Sequence, residues 1–296
     1  MTYIIFCSKF AEPKTKKPMK RFIFIVVIIL SCAADAGAYG VGGVVGARAL
    51  ALGNVGVAYG DQWSVLNNPA GMASLRDWSI GAYYENRFLL KETALKNANL
   101  SIPLNIGTFG VSVQQYGYDK YNENRFTVAY ARAFGPYLRI GLSLDYLLFC
   151  FSDGYDRLSA ATVGIGAQSD LSEKIHLGVY IFNPTASKTK TLTKSKIPII
   201  MRFGISYDIC DEVVTSAEIE NETDVGLRLK AGVEYRAFGD FFIRAGFVSN
   251  PGRLCFGAGY SVGRFTVDIS SQIHQKLGPT LQCGLIFKVK KHKEAR

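Results

Sequence analysis

From Trp78 to Val289 apolar side chains alternate with polar residues or glycine, in runs of about ten bounded by Gly, Pro, Asn, Asp or Ser. Fourteen such runs can be drawn, at 77–86, 93–102, 105–116, 124–133, 137–150, 158–168, 174–182, 197–208, 212–220, 225–237, 240–248, 253–262, 264–273 and 279–290. A period of two belongs to a strand, whose successive side chains leave opposite faces. With about sixteen residues per unit, each run has room for the roughly 9–11 residues that cross a bilayer when tilted, plus a short connection.

The clearest runs show which face is which. One face carries Leu138, Ile140, Leu142, Leu144, Tyr146 and Leu148, then Ile199, Met201, Phe203, Ile205 and Tyr207, then Leu227, Leu229, Ala231, Val233 and Tyr235, with no charge among them. The other face carries Arg139, Asp145, Arg202, Asp208, Lys230, Asp268 and Lys288, interleaved with glycine and serine. A charge on the lipid side near the bilayer midplane costs about 2–4 kcal/mol, which accounts for a clean outer face and a polar inner one. The connections alternate in length. GYDKYNEN, FSDGYD, NPTASKTKTLTKSK and IHQKLG fall at one end, and PLN, AFGP, AFGD and VG at the other. Long outside and short inside is the habit of outer-membrane barrels. The last run, Gly284 to Val289, resembles their terminal strand signal, Gly-x-x-aromatic-x-apolar. The sequence therefore predicts an all-β chain: a transmembrane antiparallel β-barrel of about 14 strands over 76–290, followed by a basic periplasmic tail at 291–296.

The N-terminus predicts export. Lys14, Lys16, Lys17, Lys20 and Arg21 precede the apolar run Phe22 to Leu30 and the small residues AADAGA, the three parts of a signal peptide. Nine apolar residues are too few for a spanning helix. The expected signal is 1–36, with a start at Met19 and cleavage after Ala36 or Ala38, which sends the chain to the outer membrane of a Gram-negative cell. Cleavage removes six of the 34 basic and two of the 24 acidic residues, so a net charge of +10 falls to +6. An exported chain with that balance is not expected to bind nucleic acid. Cys150, Cys210, Cys255 and Cys283 are far apart, with no paired spacing and no neighbouring histidine, so no metal and no cofactor is expected. His176 and His274 belong at opposite ends of the barrel, and the sequence has neither H-E-x-x-H nor G-x-S-x-G, so no enzyme is expected.

Residues 46–75, GARALALGNVGVAYGDQWSVLNNPAGMASL, are rich in glycine and alanine and hold just two charges before Leu75, Arg48 and Asp61. Fourteen strands enclose a lumen that their own side chains do not fill. An apolar segment preceding the first strand suits that space, and glycines recur on the inner face (Gly81, Gly110, Gly141, Gly178, Gly204, Gly232, Gly284), where they permit close approach of a lodged segment. Residues 37–75 are thus expected to be a lumenal hatch, with Arg48 and Asp61 paired to wall residues of opposite sign. Asn67-Asn68-Pro69-Ala70-Gly71 is expected to form a rigid turn into strand one, with Gly71 free to take a positive φ. The stretch resembles the N-terminal segment of the FadL/TodX outer-membrane transporters and their PorV/PorQ relatives, at Arg48, Ala49, Gly53, Ala58, Asp61, Asn68, Pro69 and Ala70. The resemblance implies a hatch inside a fourteen-stranded barrel.

Inward charges are expected to pair across hairpins. A turn near Glu222 and Thr223 sets Glu218 opposite Arg228, and one near Gly239 sets Glu234 opposite Arg244. Three functions remain open at this point: passive transport of small hydrophobic or amphipathic compounds; a PorV/PorQ-like accessory barrel for type IX protein secretion; and a structural barrel without transport. The corresponding partners are outer-membrane lipid and lipopolysaccharide, a hydrophobic small molecule, and secretion-system proteins. Lys188, Lys190, Lys194 and Lys196 lie in one connection with no acidic residue; a solvated loop is the expected reading, with lipopolysaccharide phosphates as the alternative partner.

Overall fold

The computed structural model describes residues 42–152, 157–187 and 196–289. The expected signal peptide, the tail 291–296 and three of the four loop lysines lie outside the described residues. Fourteen strands run in sequence order: β1 (Trp78–Asn86), β2 (Ala94–Leu104), β3 (Gly107–Tyr118), β4 (Tyr121–Phe134), β5 (Leu138–Phe151), β6 (Leu158–Asp170), β7 (Ile175–Phe182), β8 (Ile200–Cys210), β9 (Val213–Glu222), β10 (Gly226–Phe238), β11 (Phe241–Val248), β12 (Arg253–Val262), β13 (Phe265–His274) and β14 (Gly278–Val289). Each pairs antiparallel with its sequence neighbours, and β1 pairs with β14 from Trp78 opposite Val289 to Asn86 opposite Leu281, which closes the barrel. Closure leaves no strand edge unpaired.

The alternation in the sequence becomes alternation in burial: β8 reads buried and exposed in turn over Ile200–Tyr207, and β10 does so over Lys230–Tyr235. Along all fourteen strands the outward positions carry charge at Lys96 and Arg132 alone, each three residues from a strand end. Connections at one end are short, such as 105–106, 211–212 and 263–264, whereas those at the other reach seven residues at 87–93 and seventeen at 183–199. The expected GYDKYNEN loop is an exception, because β3 and β4 continue as a ribbon to a two-residue turn at Asp119 and Lys120. Tyr and Asn in that stretch serve as strand residues with their own cross-strand partners, which loop-like composition hides. Exposed Trp78, Phe134, Tyr137, Tyr207, Tyr235, Phe238, Tyr260 and Phe265 gather around the short-turn end.

Residues 42–75 lie on the inward side of this wall. They form two short helices, α1 (Ala47–Ala51) and α2 (Ser64–Asn67), and a 3-10 helix over Pro69–Ser74. Their large apolar side chains Val44, Val45, Leu50, Leu52, Val55, Val57, Trp63, Val65 and Leu66 are all buried. At about 1.5–3 kcal/mol for each large side chain removed from water, this burial is the main force holding the segment against the wall. It packs where the wall has no side chains: a Cβ at Gly141 would strike the backbone of Pro69 and Ala70, and one at Gly246 the backbone of Leu52 and Gly53.

Such contact leaves no space for a methyl group. Gly246→Val is expected to destabilise the folded barrel by about 1–3 kcal/mol, read as a lower midpoint for loss of its heat-modifiable gel mobility. Ala245→Val, on the outward face of the same strand, should leave that midpoint unchanged.

Candidate translocation path

The inner segment is fastened by polar contacts at three places, two built on inward-pointing strand side chains and the third on strand backbone carbonyls. Near the centre of the lumen, one oxygen of the buried Glu218 carboxylate accepts hydrogen bonds from the backbone N–H groups of Gly56, at 2.9 Å, and Val57, at 3.0 Å. Its other oxygen takes the Lys230 ammonium at 2.8 Å, and Lys230 also donates to the Asn54 carbonyl at 3.1 Å and to Glu220 at 2.8 Å. Arg202 continues the chain of charges, donating to Glu220 at 2.6 Å and to the Gly42 carbonyl at 2.9 Å. A carboxylate that receives two backbone N–H groups and an ammonium is fully satisfied, which makes its burial tolerable.

The second fastening is Arg48, which grips Glu234 with two parallel hydrogen bonds of 2.9 and 2.8 Å, while Glu234 also accepts from Arg244. Arg244 in turn holds Asp268 at 2.6 Å. The Arg48 guanidinium stacks over Tyr59, 4.3 Å from the ring centre, and approaches Asp61 at 3.5 Å. Burial opposes the charged form of Arg48, but Glu234 outweighs it and holds the guanidinium above its usual pKa. Burial pushes the Asp61 carboxyl up, against the pull of Arg48. Asp61 meets the segment's own arginine and the Trp63 N–H, at 2.9 Å, instead of the expected wall cation.

The third fastening is the Asn-Asn-Pro-Ala-Gly stretch. Asn67 clamps Val45 within the segment, accepting from its N–H at 2.9 Å and donating to its carbonyl at 2.8 Å. The Asn68 amide donates to the Val57 carbonyl at 2.7 Å and to the Ala167 and Val179 carbonyls of β6 and β7 at 3.3 Å. Asn68 is extended, Pro69 opens the 3-10 helix, and the buried Ala70 N–H is capped by the Asn68 side chain at 3.2 Å. The expected tight turn is thus a helical one. Gly71 keeps a negative φ, and its bareness serves close contact, since a Cβ there would press on the Tyr59 carbonyl and the Ser64 hydroxyl.

Of the two expected wall pairs, Glu234 stands opposite Arg244. Glu218 does not face Arg228: it stands opposite Lys230, and Arg228 stands opposite Glu220. The turn between β9 and β10 is centred one residue later than expected, with Thr223, Asp224 and Val225 outside the ladder and Gly226 at φ 86° returning the chain, so the register moves by two residues. A shift of two keeps every side chain on its face. The sequence reading missed Lys230 as the partner of Glu218, and it missed Gln168, which donates to the Val57 and Tyr59 carbonyls at 2.9 and 2.8 Å. Their signal was polarity at an inward position. His176 and His274 sit at opposite ends, in the β6–β7 and β13–β14 hairpins.

A cavity opens on either side of the segment. At the long-loop end, about 270 Å³ lies over Gly42, Val44, Leu50 and Asn54, with Glu85, Arg87, Phe88, Arg228 and Arg253 around it. At the short-turn end, about 310 Å³ is bounded by Arg48, Asp61, Trp63, Glu234, Arg244 and Asp268. Arg48 and Leu50, both in or beside α1, face opposite cavities, so the helix is the partition between them.

The closed fourteen-stranded barrel is similar in fold to solved channel and transporter proteins. The toluene transporter TodX of Pseudomonas putida is similar with a TM-score of 0.63 at 12% identity, over 85% of this chain and 100% of its own. The Ralstonia pickettii toluene transporter TbuX gives 0.61 at 13% identity, over 85% and 99%, and a Pseudomonas aeruginosa FadL homologue gives 0.54 at 12%, over 87% and 98%. At these identities the likeness is one of fold. No protein-family model and no curated protein sequence matches the chain. These relatives in fold are transporters and channels, and nothing among them adds to the secretion reading.

The Glu218 fastening can be tested by two variants. Glu218→Leu leaves the Gly56 and Val57 N–H groups and Lys230 without their acceptor and is expected to cost about 3–5 kcal/mol. Glu218→Gln keeps an acceptor oxygen and should cost less. The readout is tryptic cleavage after Arg48 in the folded barrel, slow in the parent, faster in the Gln variant and fastest in the Leu variant.

Proposed function

We propose that this chain is an outer-membrane channel for passive transport of small hydrophobic or amphipathic compounds, in which residues 37–75 act as the hatch. The observation that carries the reading is the partition: two separate cavities, each large enough for a one-ring compound, divided by a segment held through exchangeable polar contacts as well as apolar packing. The outward face supports placement in a bilayer. It is predominantly apolar, charged at two positions near strand ends, and ringed by aromatic side chains at the short-turn end. The basic, apolar and small-residue succession of the first 36 residues supplies the export signal that such a location needs. In this reading outer-membrane lipid covers the outward face, and the lysines of the 183–199 connection meet lipopolysaccharide phosphates at the long-loop end. The fold of solved toluene transporters supports the substrate class.

Transport through such a path requires the hatch to shift or to pass solute along its side. Proteoliposomes carrying the mature chain are expected to take up a one-ring hydrophobic probe faster than empty liposomes while remaining closed to sugars. Deleting residues 39–72 should open a pore that passes sugars, read as liposome swelling. Probe uptake at the empty-liposome rate would overturn the channel reading, and a deletion variant that folds yet stays closed to sugars would overturn the hatch.

A further inference from the structure

The cavity at the long-loop end has an excess of positive charge with one member unpaired. Its three carboxylates are all engaged: Glu85 by Arg87 at 2.7 Å, Glu220 by Arg202, Arg228 and Lys230, and Glu222 by Arg228 at 2.5 Å. Arg253, which lines the same cavity, has no carboxylate within 4.0 Å among the described residues. It gives one hydrogen bond, from Nη1 to the Gln272 side-chain oxygen at 3.1 Å, and its Nε is buried with no partner. Across the ladder from Arg253 lies His274, whose Nδ1 accepts the Lys276 and Leu277 N–H groups at 3.1 and 3.2 Å. With Nδ1 occupied as an acceptor, the neutral ring carries its proton on Nε2 and is a second donor beside the guanidinium.

Apolar side chains line the cavity beside these donors. Phe88, held at φ 57°, meets the His274 ring edge-on with centroids 6.0 Å apart, and Val44, Leu50 and Ile200 continue the surface. We propose that this cavity is a binding site for a small organic anion, whose carboxylate or other oxyanion is taken by Arg253 and His274 while its ring or short chain lies against Phe88, Leu50 and Ile200. A partly buried guanidinium whose Nε is buried without a partner and which has no counter-charge is costly, and a planar oxyanion relieves that cost with paired hydrogen bonds. A neutral hydrocarbon leaves the cost unrelieved. The inference rests on the channel reading only for the side from which ligand arrives; binding itself is independent of transport.

Calorimetric titration of the mature barrel in detergent tests it, with benzoate, its neutral counterpart benzyl alcohol, acetate and inorganic phosphate as probes. Benzoate is expected to bind about tenfold or more tightly than any of the other three. Arg253→Gln should weaken benzoate at least as much, Arg253→Lys should recover a large part of the loss, and Arg132→Gln on the outward face should change nothing. Equal affinity for benzoate and benzyl alcohol, or an undiminished Arg253→Gln variant, overturns the proposal. Acetate or phosphate binding as tightly as benzoate reduces the site to a general anion sink and overturns it too. If Arg253→Gln fails to acquire heat-modifiable mobility, the probe series on the parent protein and the Arg253→Lys variant decide. Benzoate binding without probe uptake would refute the channel and leave this site standing; uptake without benzoate binding would do the reverse.

Discussion

Backbone hydrogen bonding is the constraint from which the rest follows. Fourteen strands satisfy their own N–H and C=O groups only because β1 finds β14, so the sheet has no edge to offer water or lipid. Once closed, it has two surfaces of opposite character. The outer one is apolar and fit for lipid, and the inner one is left with the polar side chains and a volume too wide for them to fill. The segment at 42–75 answers that second demand, and bare glycines on the wall let its backbone approach at Gly141, Gly232 and Gly246.

Filling the lumen with an apolar segment sets an electrostatic problem, since Glu218, Lys230, Arg202, Glu234, Arg244 and Asp268 are all buried. Charges in such a place are tolerable when each has a partner, and here they form two chains that run from wall to segment. One passes from Arg228 through Glu220 to Lys230, Glu218 and the Gly56 and Val57 N–H groups. The other runs from Asp268 through Arg244 and Glu234 to Arg48. Because the segment supplies acceptors and donors to both, moving it breaks ion pairs within the wall's reach rather than exposing a purely apolar surface. A segment held this way is fixed by polar contacts as well as by apolar packing.

The two cavities differ in what they leave unpaired. Around the cavity at the short-turn end, Arg48, Arg244, Glu234 and Asp268 neutralise one another, while Arg236 and Lys288 line it as exposed cations with no ion pair among the described residues. Around the cavity at the long-loop end, Arg253 stands beside His274 and Phe88 with no acidic partner among the described residues and with its Nε buried. The solved structures of similar fold include toluene transporters. The barrel fold is the common ground, while the charge pattern of the cavity at the long-loop end belongs to this chain's own side chains.

Strand number, strand bounds and the sidedness of nearly every residue were legible in the sequence, because a period of two is a local property that each ten-residue run states for itself. The runs drawn at 253–262 and 158–168 match β12 and the body of β6. Loop-like composition misled at 117–124, where Tyr and Asn pair across a ribbon. The partners of individual charges were beyond it. Arg48 and Glu234 are 186 residues apart, and no pattern along the chain relates them. Glu218 meets Lys230 instead of Arg228 because a three-residue turn with Gly226 at positive φ moves the register by two. Such a shift leaves the alternation intact, so the sequence determined which residues face the lumen, and only the closed barrel, with its turns in place and its segment inside, decided which of them touch.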